Sequence, residues 1–231
     1  MSGDERSSER GQVGIGTLVV FIAMVLVAAI AAGVLVNTAG FLQTKSEQTG
    51  QESTAQVSNR VQVVSAYADV GFTDLGFPSP GGTYKSGGDV IDYVEVVVSG
   101  SAGSGDVDLR DATITWNGPN RTQQLTWRDP FDREENAAKT AANATRFSAV
   151  SLTDHDPALL DETGDRLKIA IDAEAISDGA NDDAYVGDAD PPGGFYPGQE
   201  ATIRITTASG ATTVYRLAVP DTLAGKDAVS L

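Results

Sequence analysis

The chain's apolar residues are concentrated in one run, residues 13–36, which holds no charged side chain. The run reads VGIGTLVVFIAMVLVAAIAAGVLV, and Thr17 carries its one hydroxyl. A helix rises about 1.5 Å per residue, so this run spans ~36 Å and exceeds the ~30 Å of a bilayer core. The pattern predicts a helix long and apolar enough to cross a membrane.

The helical pattern continues past Val36, but its side chains become polar. Residues 37–59 are rich in Gln, Glu, Ser, Thr and Ala, with Gly40 and Gly50 as the main breakers. We therefore predict one helix from about Val13 to the high fifties. A mostly polar helix of this kind bridges regions or packs against copies of itself.

From Val61 onwards the period changes to two, which is typical of half-buried strands. Ile203 and Ile205, for example, alternate with threonine and arginine. We predict strands over residues 60–68, 90–99, 108–116, 123–128, 146–152, 166–173, 200–207 and 212–219. Turn-forming clusters separate them, and residues 134–144 are either a short helix or a loop. The pattern predicts an α+β fold, a long N-terminal helix followed by an antiparallel, Ig-like β-sandwich.

The segment before the apolar run, MSGDERSSERG, is short and hydrophilic. Its side chains sum to −1, from three acids and two bases. An ordinary secretory leader begins with a positive region and has a shorter apolar run, of about 7–15 residues. Arg10 lies at the edge of the run, where a basic residue favours a cytoplasmic N-terminus.

Residues 10–18, RGQVGIGTL, resemble the processing region of archaeal flagellins (archaellins), and the likeness extends through the apolar run to Gln43. Residues 195–200, FYPGQE, and the strands after them are similar to archaellin C-terminal halves. The resemblance implies a leader, residues 1–11, that a prepilin-type peptidase cuts between Gly11 and Gln12. Bacterial type IV pilins usually carry Glu at the fifth mature position, where this chain has Gly16.

The same resemblance implies three regions and a role. After the leader, residues 12–59 form a helix that sits first in the cytoplasmic membrane and then in a filament core. Residues 60–231 form an extracellular β-domain. The chain would polymerise with itself or with other flagellins into the archaellum, a filament for swimming. The assembly platform and the ATP-consuming motor would be separate proteins.

Two other roles fit parts of the pattern. An archaeal type IV-like adhesion pilin would share the processing and assembly but serve surface attachment. A membrane-anchored binding protein or enzyme with an extracellular β-domain would keep its leader and stay monomeric. The expected role is structural and not enzymatic.

Small residues inside the apolar run predict close contact between helices. Ala28 and Ala32, and likewise Ala29 and Gly33, have the four-residue spacing of small-xxx-small packing. Including the start of the run, the candidate packing residues are Gly14, Gly16, Ala28, Ala29, Ala32 and Gly33.

The charge balance is strongly acidic, with 32 acidic and 16 basic residues and a net charge of −16. Removing the leader leaves 29 acids, 14 bases and a net charge of −15. Nucleic-acid binding needs a basic face, so that class of partner is excluded. Such a surface repels itself unless salt screens it, which predicts a halophile. The chain has no cysteine, so an exported domain must be stable without disulfides.

Candidate chemistry outside the helix is sparse. His155 lies between Asp154 and Asp156, but a stable metal site needs three or four convergent ligands, so a solvated turn is expected. The glycine-rich residues 100–105 lack the spacing and the lysine of a nucleotide-binding loop. The aspartate-rich residues 178–190 offer oxygen ligands that suit Ca²⁺, without the order of an EF-hand or its closing Glu. We predict no cofactor and no defined metal site, and leave calcium at 178–190 open.

Two sequons, Asn120-Arg121-Thr122 and Asn143-Ala144-Thr145, fall beside predicted loops. Neither has proline in the middle, so Asn120 and Asn143 are sterically plausible N-glycosylation sites. Export and the archaellin resemblance both favour a glycoprotein.

Overall fold

The structure is a computed structural model that describes residues 4–70, 90–130, 142–153, 156–162, 164–178 and 194–231, with backbone alone for residues 4–12 and 178. The chain divides into two compact units, Met1–Ser53 and Thr54–Leu231. The first is helical. The second is a β-domain that begins with the last helical turn.

One helix, α1, runs from Asp4 to Ser58 and confirms the predicted long helix. It begins before Val13 because residues 4–12 contain no proline and are rich in Glu, Arg and Ser, which an α-helix accommodates. It ends where Ser58 donates its hydroxyl to the carbonyl of Thr54 and the chain turns into the first strand. In its polar half, Gln43 donates to Glu47 and Lys45 donates to Gln48, which are neighbours on one helix face.

The described residues of the β-domain form eleven strands, most of them at the positions that the alternation predicts. They are β1 Val61–Val70, β2 Ile91–Gly100, β3 Val107–Asp108, β4 Thr113–Asn117, β5 Thr122–Trp127, β6 Arg146–Ser151, β7 Leu159–Leu160, β8 Arg166–Asp172, β9 Glu200–Thr206, β10 Thr212–Ala218 and β11 Ala228–Ser230. A short helix, α2, spans Ala173–Asp178. The predicted strand at 108–116 is interrupted by a 3₁₀ turn, Leu109–Asp111, because the Asp108 carboxylate accepts a hydrogen bond from the Arg110 amide.

Nine of the strands form one sheet in the order β10-β9-β4-β5-β6-β8-β2-β1-β11, and β3 pairs with β7 separately. Every pair in the large sheet is antiparallel except β5 with β6, which is parallel. The sheet curls until β1 and β10 are in contact, and the Thr213 hydroxyl donates to the Val61 carbonyl. The predicted antiparallel β-domain is confirmed, and its two halves are continuous through the β5–β6 pair.

The core lies between the two halves of the curled sheet. Ile114, Leu125, Phe147, Ile169 and Ile203 are fully buried there. Trp116 packs edge-on against Phe195 with ring centroids 5.7 Å apart. Phe195 is held in place by backbone hydrogen bonds with Ile91 on β2. The alternation therefore directs one side of each strand inward and leaves the other side for solvent or partners.

Three sequence predictions fall wholly or mostly outside the described residues. They are the short helix or loop at 134–144, the imidazole of His155, and the aspartate-rich segment from residue 179 onwards.

Candidate functional site

The apolar part of α1 is uncovered along its whole length. Every large apolar side chain between Val13 and Val36 is between 48% and 73% exposed. Keeping such side chains out of water is worth ~1.5–3 kcal/mol each, and roughly 20–45 kcal/mol for the run as an upper value. This surface must therefore be covered by lipid or by other protein chains.

Among the described residues, α1 is the one helix with the length and apolar composition needed to cross a membrane. Its single hydroxyl in the apolar run does not disturb this, because Thr17 donates a 2.9 Å hydrogen bond to the carbonyl of Gly14 in the preceding turn. The polar group is thus satisfied within the helix itself.

The structure groups most of the predicted packing residues on one side of α1. Ala28 and Ala32 share a face, and Ala29 and Gly33 lie next to them. Residues 18 apart complete about five turns, so Gly14 projects on the side of Ala32, whereas Gly16 points away. Beyond the adjacent residues and the surrounding helix backbone, a Cβ added at Gly14, Gly16 or Gly33 would meet no atom within 4 Å. These positions leave room for another helix to approach closely.

The predicted cleavage position lies inside regular helix. The Gly11–Gln12 peptide bond is part of α1, which begins seven residues before it at Asp4. Cleavage between Gly11 and Gln12 stays a prediction.

The chain leaves α1 through a residue that is fixed to two loops of the β-domain. The side-chain oxygen of Asn59 accepts a hydrogen bond from the Gly105 amide at 3.0 Å. Its carbonyl accepts one from the Thr207 hydroxyl, also at 3.0 Å. Nearby, Gly210 has φ +82° and lies against Gln56, where a side chain in that left-handed conformation would be strained. The junction is thus part of the β-domain.

A buried ion pair lies on the face of the sheet opposite the core. Lys168 Nζ is 3.1 Å from Glu95 Oε1, and both side chains are at most 5% exposed. Tyr93 lies on the same face of β2, where burial raises the pKa of its hydroxyl and the carboxylates of Asp172 and Glu174 raise it further. This pair was not predicted from the sequence; the available signal was that Glu95 and Lys168 each lie between apolar neighbours within a strand.

The two sequons differ in accessibility. Asn120 is exposed in the tight hairpin turn between β4 and β5, where the Gly118 amide donates to the Arg121 carbonyl. Asn143 is half-buried, and its side-chain oxygen accepts hydrogen bonds from the amide and hydroxyl of Thr145. Both remain predicted glycosylation sites, and Asn120 is the better presented acceptor.

Asp156 is the one described residue of the segment 154–156, and its carboxylate is already engaged. Asp156 accepts two hydrogen bonds from Arg110, at 2.7 and 2.8 Å, and a third from the Ala158 amide. The bond to Asp156 raises the pKa of the Arg110 guanidinium. Within the part of the chain that the structure describes, no three His, Asp or Glu side chains are grouped as they would be around a metal ion.

The sequence model of a family described as archaeal-type flagellin matches residues 11–217. The chain is 40% identical to flagellin B2 of Halobacterium salinarum over 223 residues, which cover 96% of this chain and 95% of that one. It is 38% identical to flagellin A2 of Haloferax volcanii, over 94% of this chain and 93% of the relative.

Two solved structures have a similar fold. The archaeal flagellum of Methanospirillum hungatei superposes with a TM-score of 0.58 at 18% identity, over 90% of this chain and 94% of that one. The crystal structure of flagellin FlaB1 from Methanocaldococcus jannaschii gives a TM-score of 0.52 at 14% identity, over 74% and 94% of the two chains.

Proposed function

The chain belongs to the archaeal-type flagellin family, and from that membership we propose how this structural filament subunit is processed and assembled. The α1 surface of residues 13–36 lies in the cytoplasmic membrane in the precursor. After the leader is removed, the same surface packs against α1 of other copies in the filament core. The observation that carries this proposal is the exposure of that apolar surface along its whole length in the single chain.

Close packing supplies the driving force for assembly. Moving α1 from lipid into a core of helices gains little hydrophobic energy, because lipid tails are as apolar as leucine. Van der Waals contact between helices must then favour the filament. The face of Ala28, Ala29, Ala32 and Gly33 lets a second helix approach closely, and the chain itself puts nothing in its way.

The proposal assigns the remaining steps to other proteins. A prepilin-type peptidase cuts between Gly11 and Gln12, an archaellum assembly platform inserts the subunit, and a motor rotates the filament. Other flagellins of the same cell are expected to join this chain in a mixed polymer. The finished filament lies outside the cell, and its acidic β-domains are suited to high salt.

Two flagellin features of the chain weigh against an adhesion pilin. The family match spans residues 11–217, and the relatives over most of the chain are flagellins. No observation favours the pilin.

Processing and assembly are tested together by electron microscopy of sheared surface filaments and mass spectrometry of the subunit's N-terminus. We expect the subunit to begin at Gln12. The Gly11→Leu variant should accumulate uncut precursor without filaments, because the peptidase needs a small residue before the cut. Gly11→Ala is the matched control and should be processed. A mature N-terminus elsewhere, or filaments built from uncut Gly11→Leu chains, would contradict the proposal.

A further inference from the structure

The outward face of one half of the sheet is dominated by threonine. Strands β10, β9, β4 and β5 direct Ile114, Leu125 and Ile203 into the core, so the alternate residues form a face on the other side. We name this surface the threonine face. It consists of Thr113, Thr115, Asn117, Thr122, Gln124, Thr126, Glu200, Thr202, Arg204, Thr206, Thr212, Val214, Arg216 and Ala218.

The strand register aligns these residues in rows across the four strands. One row places Thr212, Thr206, Thr113 and Thr126 side by side, and the next places Val214, Arg204, Thr115 and Gln124. None of the residues of the threonine face is buried. The β-branched threonines are stiff at χ1, so they lose little side-chain freedom when a partner covers them.

The charge of the threonine face differs from that of the whole chain. It carries Arg204 and Arg216 against one acid, Glu200, which forms an ion pair with Arg216. The chain as a whole has twice as many acids as bases, 32 against 16. Any second copy that approaches this chain presents a mainly acidic surface. Repulsion between copies is therefore weaker at the threonine face than over the chain's surface on average, and Arg204 adds an attraction there.

We propose that the threonine face is the surface through which the β-domain contacts the β-domain of a neighbouring copy in the filament. The inference rests on the proposed assembly of the filament. In a helical polymer the contact is head-to-tail, so the threonine face meets a different surface of the next copy. Arg204 faces carboxylates of that surface, and the threonine hydroxyls donate and accept hydrogen bonds across the contact.

The two ends of the threonine face are distinct. The turn after Thr206 contains Thr207, whose hydroxyl bonds to Asn59 where α1 ends. The opposite end is the β4–β5 hairpin that carries Asn120. A glycan on Asn120 would therefore lie at the border of the contact and leave its centre, around Thr115 and Arg204, uncovered.

Single cysteines test the contact directly, because the chain has none of its own. Thr115→Cys places a thiol at the centre of the threonine face, and Ser101→Cys places one in the turn after β2; both positions are half-exposed in the single chain. Each thiol is labelled with a maleimide in intact filaments and in detergent-dissociated subunits. We expect labelling of Thr115→Cys to be several-fold slower in filaments than in subunits, and slowed more than at Ser101→Cys. Equal rates for Thr115→Cys in filaments and subunits would overturn the proposal.

Charge reversal gives an independent readout. Arg204→Glu puts an acid on the threonine face, whereas Arg166→Glu makes the same charge change at an exposed position of β8. When salt is lowered stepwise, we expect Arg204→Glu filaments to begin dissociating at a higher salt concentration than wild-type filaments. The salt concentration at which Arg166→Glu filaments dissociate should shift less. Equal shifts would contradict the contact. If the unsubstituted chain forms no filament at all, the assembly proposal fails before this test applies.

Discussion

The residues that most constrain the β-domain are the buried charges of Glu95 and Lys168. Their neighbours on β2 and β8 are apolar, and neither side chain reaches solvent. Removing two charges from water is costly, and their mutual attraction offsets that cost only while both are present. Salt in the medium screens a pair that is buried in this way much less than it screens exposed charges.

Lys168→Met should destabilise the β-domain by about 3–5 kcal/mol, because it leaves the Glu95 carboxylate buried without a counter-charge. The measurement is urea denaturation of the detergent-solubilised chain followed by circular dichroism. Replacing both partners, by Glu95→Leu with Lys168→Met, should cost much less. If Lys168→Met alone lowers the free energy of unfolding no more than the double substitution does, the two charges are not coupled in this way.

The two sequons should be modified unequally. Asn120 is exposed in its hairpin, whereas the Asn143 oxygen is held by Thr145. We therefore expect higher glycan occupancy at Asn120 than at Asn143 in native filaments, measured by mass spectrometry of peptides that cover each site. Unmodified peptides at both sites would contradict the prediction of a glycoprotein. Higher occupancy at Asn143 would show that the accessibility of the asparagine in the folded domain does not decide glycan occupancy.

At the scale of secondary-structure elements, the local sequence pattern was sufficient to predict the long ones. α1 follows from the apolar run, and β9 follows from the strict alternation around Ile203 and Ile205. Strands β3, β7 and β11 contain two or three residues each, too few for alternation to be visible. The parallel β5–β6 contact joins only Thr126 and Trp127 to Arg146 and Phe147, and no local signal encodes it.

The sites divide in the same way. The apolar surface of α1 could be predicted from composition, because one continuous run of apolar residues forms it. The Glu95–Lys168 pair depends on the register of β2 with β8, which residues far apart in the chain determine. The threonine face likewise arises from four strands, and its threonines look unrelated until the register aligns Thr115 with Arg204.

α1 gives a prediction of its own. Gly33→Leu combined with Ala29→Leu keeps the helix apolar and adds bulk to the small-residue face. A Cβ at Gly33 meets nothing beyond the adjacent residues and the surrounding helix backbone, so the β-domain should fold and the precursor should be processed. Close approach of a second helix should be blocked, and we expect no filaments by electron microscopy. The milder control is Gly16→Ala, which enlarges a position that points away from this face.

At the scale of the whole molecule, the net charge determines how strongly copies of the chain repel one another. Without residues 1–11, the predicted leader, the net charge is −15, and the acids are spread along the sequence. In concentrated salt this charge is screened within a few ångströms of each group. In dilute buffer, copies in the proposed filament repel one another through their β-domains.

Filaments should therefore loosen or dissociate when salt is lowered from ~1 M to ~0.1 M, because the Debye length grows from ~3 to ~10 Å. Light scattering and electron microscopy of filaments dialysed stepwise would measure the transition. Replacing NaCl with an uncharged osmolyte of equal osmolality should also dissociate them. Filaments that persist unchanged in dilute buffer would contradict the role of screening.

The edge-on packing of Trp116 on Phe195 has a practical consequence for following these events. Both tryptophans of the chain, Trp116 and Trp127, lie in the β-domain, and Trp127 packs edge-on against Phe147. Intrinsic fluorescence is therefore a natural probe of that domain and is blind to α1. Separation of helices should leave the emission maximum in place, whereas unfolding of the domain should shift it to the red. Light emitted by the chain itself thus distinguishes a filament that has come apart from a subunit that has lost its fold.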